Sequence, residues 1–387
     1  MFHGEGALGA LRRTYSARRS PAGREDVPVE RIAVTLRDID AALPIVREVG
    51  RHTPTVPFSG DEDVWLKLEN LQRLGAFKIR GVWNRISQLT DAERRRGVST
   101  ISSGNHGLAV AWAARRLGLP CTVRVPEGAV GRKVEAIHAE GADVSPISRS
   151  DLIDAHEKET WRSWPSVFLH PFAHPATVAG QGTIGREIVE DFSEVRTVLV
   201  PVGGGGLAAG IGTAVKGLVP RAQVFGVQAE GAAPLPVALR THQSHRIDRP
   251  QTIADGIGIG IILPSMAGIL GRVLDGALVV TDAEIRDAMR RLALEAKIVA
   301  EPAGPRPSRP GSGTETNYGP RSSRWSPAAT WIRTSSRKSS RDDDQRWDFS
   351  FSRTRTSSMR ALGYCPFESF SSGFTISHTV RRATVAP

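Results

Sequence analysis

The chain has 387 residues, 51 Lys+Arg against 40 Asp+Glu, 39 glycines and 25 prolines, enough to bury a large core in one or two domains of a loop-rich α/β protein. Its two cysteines, Cys121 and Cys365, exclude a disulfide framework and a CxxC metal site, and they fit a reducing, cytoplasmic compartment. The net charge of +11 is uneven: residues 305–387 hold 14 basic and 6 acidic residues, so 1–304 carry only +3, and the high charge does not mark the main body as nucleic-acid binding.

Residues 1–29 read as a disordered leader. Arg12, Arg13, Arg18, Arg19 and Arg24 come without the apolar run of a secretory signal; a transit peptide and an early start codon are the alternatives. A helix is predicted over 34–49, with Thr35 as cap, Leu36, Ile39, Ala42 and Ile45 as its apolar face, and Pro44 placed to end or kink it. Val64, Leu66 and Leu68 alternate with Trp65 and Lys67 as a strand, and Val82, Ile86 and Leu89 follow at helical spacing, with Lys78 between. Strands are predicted at 98–102, 121–125, 167–169, 197–202 and 223–228. Helices are predicted at 105–117, 130–139, 152–161, 181–192 and 207–218. Thr281 to Glu284 is a capping box opening a helix with Ile285, Ala288, Met289 and Leu292 on one face. This alternation predicts a parallel sheet with helices on both faces. The uncharged run 197–215 contains Pro201 and six glycines, which suits a strand, loop and helix rather than a bilayer span, so no membrane partner is expected. After Gly304 the chain has 17 serines in 83 residues and holds neither period, a disordered composition.

Three strand-to-helix junctions carry chemistry. Lys78 lies among Ala76, Phe77 and Ile79; a lysine desolvated by such neighbours loses basicity and becomes a nucleophile. Ser102-Ser103-Gly104-Asn105-His106-Gly107 opens a helix, where free N–H groups bind anions and two hydroxyls, an amide and an imidazole add donors for a carboxylate. Gly203-Gly204-Gly205-Gly206 opens another helix and lets backbone N–H groups wrap a phosphate; it is neither GxGxxG nor GK[ST], so a nucleotide is not its natural ligand. A phosphorylated aldehyde held on lysine as a Schiff base, with an amino acid as substrate, uses all three. His170 and His174 stand four apart, but Pro171 and Pro175 oppose a helical metal pair; no metal site is expected.

On these motifs the chain resembles the serine/threonine dehydratases, pyridoxal phosphate enzymes of the tryptophan synthase β-like fold (fold type II). His174 to Gly185, Ala254 to Ile257 and Glu301 to Gly304 match as well, in the family's order, and the resemblance covers roughly 33–304. It implies two parallel-sheet α/β domains with the cofactor in the cleft, the smaller (about 97–174) inserted in a catalytic region spanning 30–304. It implies that Lys78 holds pyridoxal 5'-phosphate and removes the substrate α-proton, and that Ser103 is the acid or base on the opposite face. Ser102, Ser103, Asn105 and His106 bind the carboxylate. Phe77, Asn105, Gly203, Gly204, Gly205, Gly206, Leu207 and Glu301 contact the cofactor. The implied reaction is β-elimination of L-threonine or L-serine to a 2-oxo acid and ammonia, in a homo-oligomer that binds a small amino acid and no nucleic acid. An amino-acid racemase on the same fold is the alternative.

The sequence departs from the family at four places. Ala76 replaces a serine, the loop before the lysine strand is short, and Pro236 stands where relatives with a cation site carry an aspartate. The fourth is that no Ser-Gly-Gly-Asn, whose serine meets the pyridine nitrogen in the family, follows Gly304. A frameshift accounts for the last. Reading the codons of Trp325 to Thr334 from their third base permits Val-Ser-Gly-Gly-Asn-Val-Asp-Pro-Asp. The same shift after Gly304 turns the next residues into Ala-Ala-Ala-Val-Ala-Ala. Residues 305–387 are therefore read as an aberrant, frameshifted tail, with weakened folding and an inactive product as its consequence.

Overall fold

Thr35 opens the first helix through a closed capping box. Its hydroxyl accepts from the Asp38 N–H, and the Asp38 carboxylate accepts from the Thr35 N–H at 2.8 Å. The computed structural model describes residues 15–16, 32–58, 61–129, 131–301 and 329–333. Within the expected leader, Tyr15–Ser16 form a short strand, β1. Helix α1 (Leu36–Arg47) contains Pro44 without ending there. An antiparallel pair, β2 (Thr55–Phe58) and β3 (Asp61–Leu68), leads through two 3-10 turns to α2 (Lys78–Ser87).

After α3 (Asp91–Arg96) a four-stranded sheet is built from consecutive chain: β4 (Val98–Ile101), α4 (Asn105–Leu117), β5 (Cys121–Pro126), α5 (Arg132–Ala139), β6 (Asp143–Ile147), α6 (Arg149–Glu157) and β7 (Val167–Phe168). Its order is β6-β5-β4-β7 and every pairing is parallel, as alternating strands and helices require. The chain then forms α7 (Pro175–Asp191), β8 (Thr197–Pro201), α8 (Gly206–Leu218), β9 (Gln223–Ala229) and α9 (Leu235–Thr241). A small antiparallel pair, β10 (His245–Arg246) and β11 (Ile261–Ile262), precedes α10 (Pro264–Val273), β12 (Gly276–Val280) and α11 (Asp282–Leu294). With β13 (Ala329–Arg333) the larger sheet runs β1-β12-β9-β8-β13-β3-β2. Strands β12, β9 and β8 are parallel, whereas β13 is antiparallel to both β8 and β3.

Ile39, Val178, Ile184, Val198, Val200, Ile211, Val224 and Ile269 bury α1, α7, α8 and α10 against the larger sheet. Ile79, Val82, Ile86, Val110 and Ala113 form a second core where α2 meets α4. Phe77, just before α2, packs against the first core and Ile79 lies in the second, so Lys78 is flanked by both.

Several elements differ from expectation. Helix α7 begins at Pro175, not near 181: proline's fixed φ suits the first helical position, and the His174 Nδ1 accepts the Ala176 N–H as cap. Helix α6 stops at Glu157, and Thr160–Ser163 is a separate 3-10 turn. Elements α9, α10 and β12 lie in a stretch without a clear sequence signal. The tail's composition predicts no structure, yet Ala329–Arg333 form β13; an Ala-Thr-Trp-Ile-Arg run carries strand propensity and two sheet edges were open to it. The remainder of 305–387, and all of the leader except 15–16 in 1–29, lie outside the described residues.

Candidate active site

Beneath the lysine sits a buried charge cluster. Arg80, 1% exposed, donates from Nε and Nη2 to the Glu69 carboxylate at 2.9 and 2.8 Å and from Nη1 and Nη2 to Glu187 at 2.6 and 2.9 Å. Its remaining bonds go to Thr183 Oγ1 and the Arg51 carbonyl. Lys67 Nζ meets Glu187 at 3.0 Å and Asp191 at 3.0 Å, and donates to the Thr53 carbonyl. Arg80 is two residues beyond Lys78, so this cluster ties the first turn of α2 to β3 and α7.

Lys78 itself is partly buried at the head of α2. Its Nζ donates to the Pro171 carbonyl at 3.2 Å and lies 5.2 Å from the Phe77 ring centroid. Burial lowers its pKa to about 8, the property expected of a nucleophilic lysine.

The Ser102–Gly107 loop joins β4 to α4. Gly104 is the N-cap and, having no side chain, supplies no side-chain cap to the first-turn N–H groups. Ser102 anchors the loop: its N–H donates to the Arg124 carbonyl at 3.0 Å and its Oγ accepts from the Gly104 N–H at 3.1 Å. Ser103 and Asn105 are half-buried beside it. The His106 ring does not add a carboxylate donor. Its Nε2 donates to the Leu169 carbonyl at 3.0 Å, and burial, reinforced by the Lys78 charge, pushes its pKa down to about 3. The ring is therefore neutral and Nδ1 is an acceptor. The backbone N–H is what His106 can offer an anion.

The Gly203–Gly206 loop joins β8 to α8, again without a side-chain cap. Gly205 has φ +99, a backbone conformation that glycine adopts freely. At Gly204 a Cβ would lie 2.5 Å from the Phe172 ring, so the backbone is pressed against that ring and only glycine fits there. Leu207 packs into the main core. Glu301 is half-buried at the end of the described segment.

All three junctions therefore meet one peptide, Leu169 to Phe172: His106 on the Leu169 carbonyl, Lys78 on the Pro171 carbonyl, and Gly204 and Gly206 against Phe172. Nothing in the sequence hints at this hub beyond the spacing of His170 and His174. Among the described residues there is no cluster of three His, Cys, Asp or Glu suited to a metal, and no helix is long and apolar enough to cross a membrane.

Two parallel-sheet α/β layers with a lysine at the head of a helix, matched by the solved threonine deaminase and serine racemase structures, are the tryptophan synthase β-like fold, fold type II. The chain belongs to the pyridoxal-phosphate dependent enzymes, which it matches over residues 46–305. It is 39% identical over 280 residues to the L-threonine ammonia-lyase of Thermotoga maritima, covering 70% of this chain and 69% of that one. Among solved structures it resembles serine racemase from Dictyostelium discoideum (33% identity, TM-score 0.63, 70% of this chain and 88% of that). It likewise resembles the processed form of threonine deaminase isoform 2 from Solanum lycopersicum (28% identity, TM-score 0.63, 72% and 86%). The residues present fit pyridoxal phosphate: a desolvated amine and a glycine cradle that a Cβ would fill.

Proposed function

We propose that the chain is an ammonia-lyase that eliminates the β-hydroxyl of L-threonine or L-serine, giving a 2-oxo acid and ammonia. One observation carries this reading: the partly buried Lys78 amine and two uncapped helix N-termini converge on the 169–172 peptide. Lys78 would hold the cofactor, Gly203 to Gly206 and Leu207 its phosphate, and Phe77, Asn105 and Glu301 its ring. Bound there, pyridoxal phosphate supplies an electron sink for the carbon that loses its proton. The head of α4, with Ser102, Ser103 and Asn105, binds the substrate carboxylate. Burial lowers the Lys78 pKa to about 8, so the amine is neutral in roughly a tenth of molecules at pH 7, far more than an exposed lysine, and the neutral Nζ takes the α-proton. Ser103 Oγ moves a proton on the opposite face. Homo-oligomerisation, by family resemblance, and a cytoplasmic setting, from the cysteine usage, belong to the same proposal. Purified protein incubated with each amino acid, then assayed for 2-oxo acid and ammonia and for D-serine, tests it. Inversion without 2-oxo acid would favour the racemase reading that the Dictyostelium neighbour keeps open.

We further infer that the frame changes near Gly304. The family match ends at residue 305, and the only described part of the tail enters the larger sheet antiparallel, between strands β8 and β3 that lead into the glycine cradle and the lysine turn. Resequencing codons 300–340 is expected to restore one base and the Ser-Gly-Gly-Asn reading, and the restored chain is expected to be the more active of the two. An unbroken frame with no change of codon usage at 304 refutes it.

A further inference from the structure

The hub peptide is fastened by His170, a side chain outside the proposed chemistry. His170 is buried, and its Nδ1 accepts two backbone N–H groups, Phe172 at 3.3 Å and Ala173 at 2.9 Å. An imidazole that accepts at Nδ1 carries its proton on Nε2. Burial, with His156, His106, His174 and Lys78 nearby, keeps its pKa well below the usual histidine range. A second proton would fall on Nδ1 and abolish both bonds. The ring is packed by Phe172 at 4.6 Å, His156 at 5.3 Å and Phe168 at 5.6 Å, all at steep interplanar angles, so its orientation is fixed.

The two bonds close a turn whose interior is Pro171 and Phe172. The Pro171 carbonyl is the acceptor for Lys78 Nζ. The Phe172 ring is the wall against Gly204, and the Phe172 carbonyl and Cα lie where a Cβ on Gly206 would need to go, 2.8 and 2.9 Å away. Opening the turn would move the lysine's acceptor and the cradle's wall together.

We propose that His170 is a positioning residue: by tying the 170–173 turn it sets the Lys78 amine and the glycine cradle in one register, so that the amine and the anion site are held at a fixed separation. The cradle half of this proposal rests on the cofactor reading above; the lysine half does not.

The competing role is bulk packing, and two variants separate them. His170→Asn keeps an acceptor near the Nδ1 position but loses ring volume; His170→Leu keeps volume and loses the acceptor. Each full-length protein is checked for folding by circular dichroism. The pH profile of Lys78 acetylation without cofactor is then read by peptide mass spectrometry, and the Kd for pyridoxal phosphate by absorbance. His170→Leu is expected to weaken cofactor binding about tenfold or more and to shift the Lys78 profile, while His170→Asn stays within about threefold with the parent profile. Leu matching the parent in both readouts, or Asn failing as Leu does, overturns the proposal. Hydrogen exchange on the unsubstituted protein decides the case should the Leu variant not fold: Phe172 and Ala173 amides exchanging at open-loop rates would overturn it, and protected amides with a parent-like Asn variant support it. If the parent binds no pyridoxal phosphate, the cofactor reading fails, and the Lys78 profile still judges the lysine half.

Discussion

Replacing Arg80 tests whether the charge cluster under α2 holds the lysine turn. The guanidinium makes six hydrogen bonds, four of them to the carboxylates of Glu69 and Glu187, with Arg80, Glu69 and Glu187 each 1% exposed. Arg80→Met would leave both carboxylates buried without it. Glu187 would retain Lys67 at 3.0 Å and Glu69 would retain the Thr53 hydroxyl, so the loss corresponds to one broken buried pair, about 3–5 kcal/mol, rather than two. Arg80→Lys keeps the charge but not the fork that spans two carboxylates, and should cost about 1.5–3 kcal/mol. The control is Arg47→Met, whose 3.4 Å pair with Glu190 is exposed and should change stability by about 0–1 kcal/mol. The assay is urea unfolding followed by circular dichroism. It has a pH signature as well. Burial alone would raise the Glu187 pKa, but Arg80 and Lys67 outweigh it and hold the carboxylate below its ordinary value. A depressed folded-state pKa adds stability above the unfolded value of about 4.3 and loses it as pH falls through the folded one. The parent should therefore weaken on acidification below about pH 4, and Arg80→Met should lack much of that slope. An Arg80→Met protein within about 1 kcal/mol of the parent would refute the reasoning.

Lys78→Ala should abolish the yellow absorbance of lysine-bound cofactor and the lyase activity while leaving the far-ultraviolet dichroism in place; normal turnover would sink the assignment. In the cofactor-free parent, Lys78 acetylation should be half-maximal near pH 8, since burial lowers its pKa to about 8, and a midpoint near 10.5 would contradict the desolvated pocket. Asn105→Ala should raise KM and lower kcat with a combined loss of about 1.5–3 kcal/mol, the worth of one hydrogen bond to a charged group; unchanged constants would count against the loop's role. Gly204→Ala would place a methyl 2.5 Å from the Phe172 ring and should cost about 1–3 kcal/mol by overpacking, together with weaker cofactor binding, checked by unfolding and by titration.

The parts of the site that are legible in the sequence are those with local signals. Glycine runs, a capping box and alternating apolar residues identify strand-to-helix turns wherever the chain folds, because their chemistry is set within a few residues. Thr35 reads as a cap and Thr281 with Glu284 as a capping box in the sequence, and both are closed capping boxes in the structure. The start of α7 is hidden because Pro171 and Pro175 both read as helix breakers, whereas Pro175 stands in the first turn, where an N–H has no intrahelical acceptor and its absence costs no ladder bond. The elements α9, α10 and β12 are hidden because their cues are weak: α9 is only 7 residues long with prolines at 234 and 236, and the apolar face of α10 is interrupted by Gly268 and Gly271.

What no local pattern could supply is the convergence on residues 169–172. A carbonyl acceptor has no sequence signature, since every residue carries one. The hub is built from the Leu169 and Pro171 carbonyls, reached by side chains 63 and 93 residues away along the chain. The same blindness covers His106. In sequence it is a polar residue in a carboxylate loop, with a ring N–H to offer; only the distant Leu169 carbonyl reveals that this N–H is committed and that the free nitrogen can only accept. The site is thus local in its groups and non-local in their protonation and placement. That division follows from the architecture: strand-to-helix turns deliver the chemistry, and one turn between the two sheets' strands decides how the groups face one another.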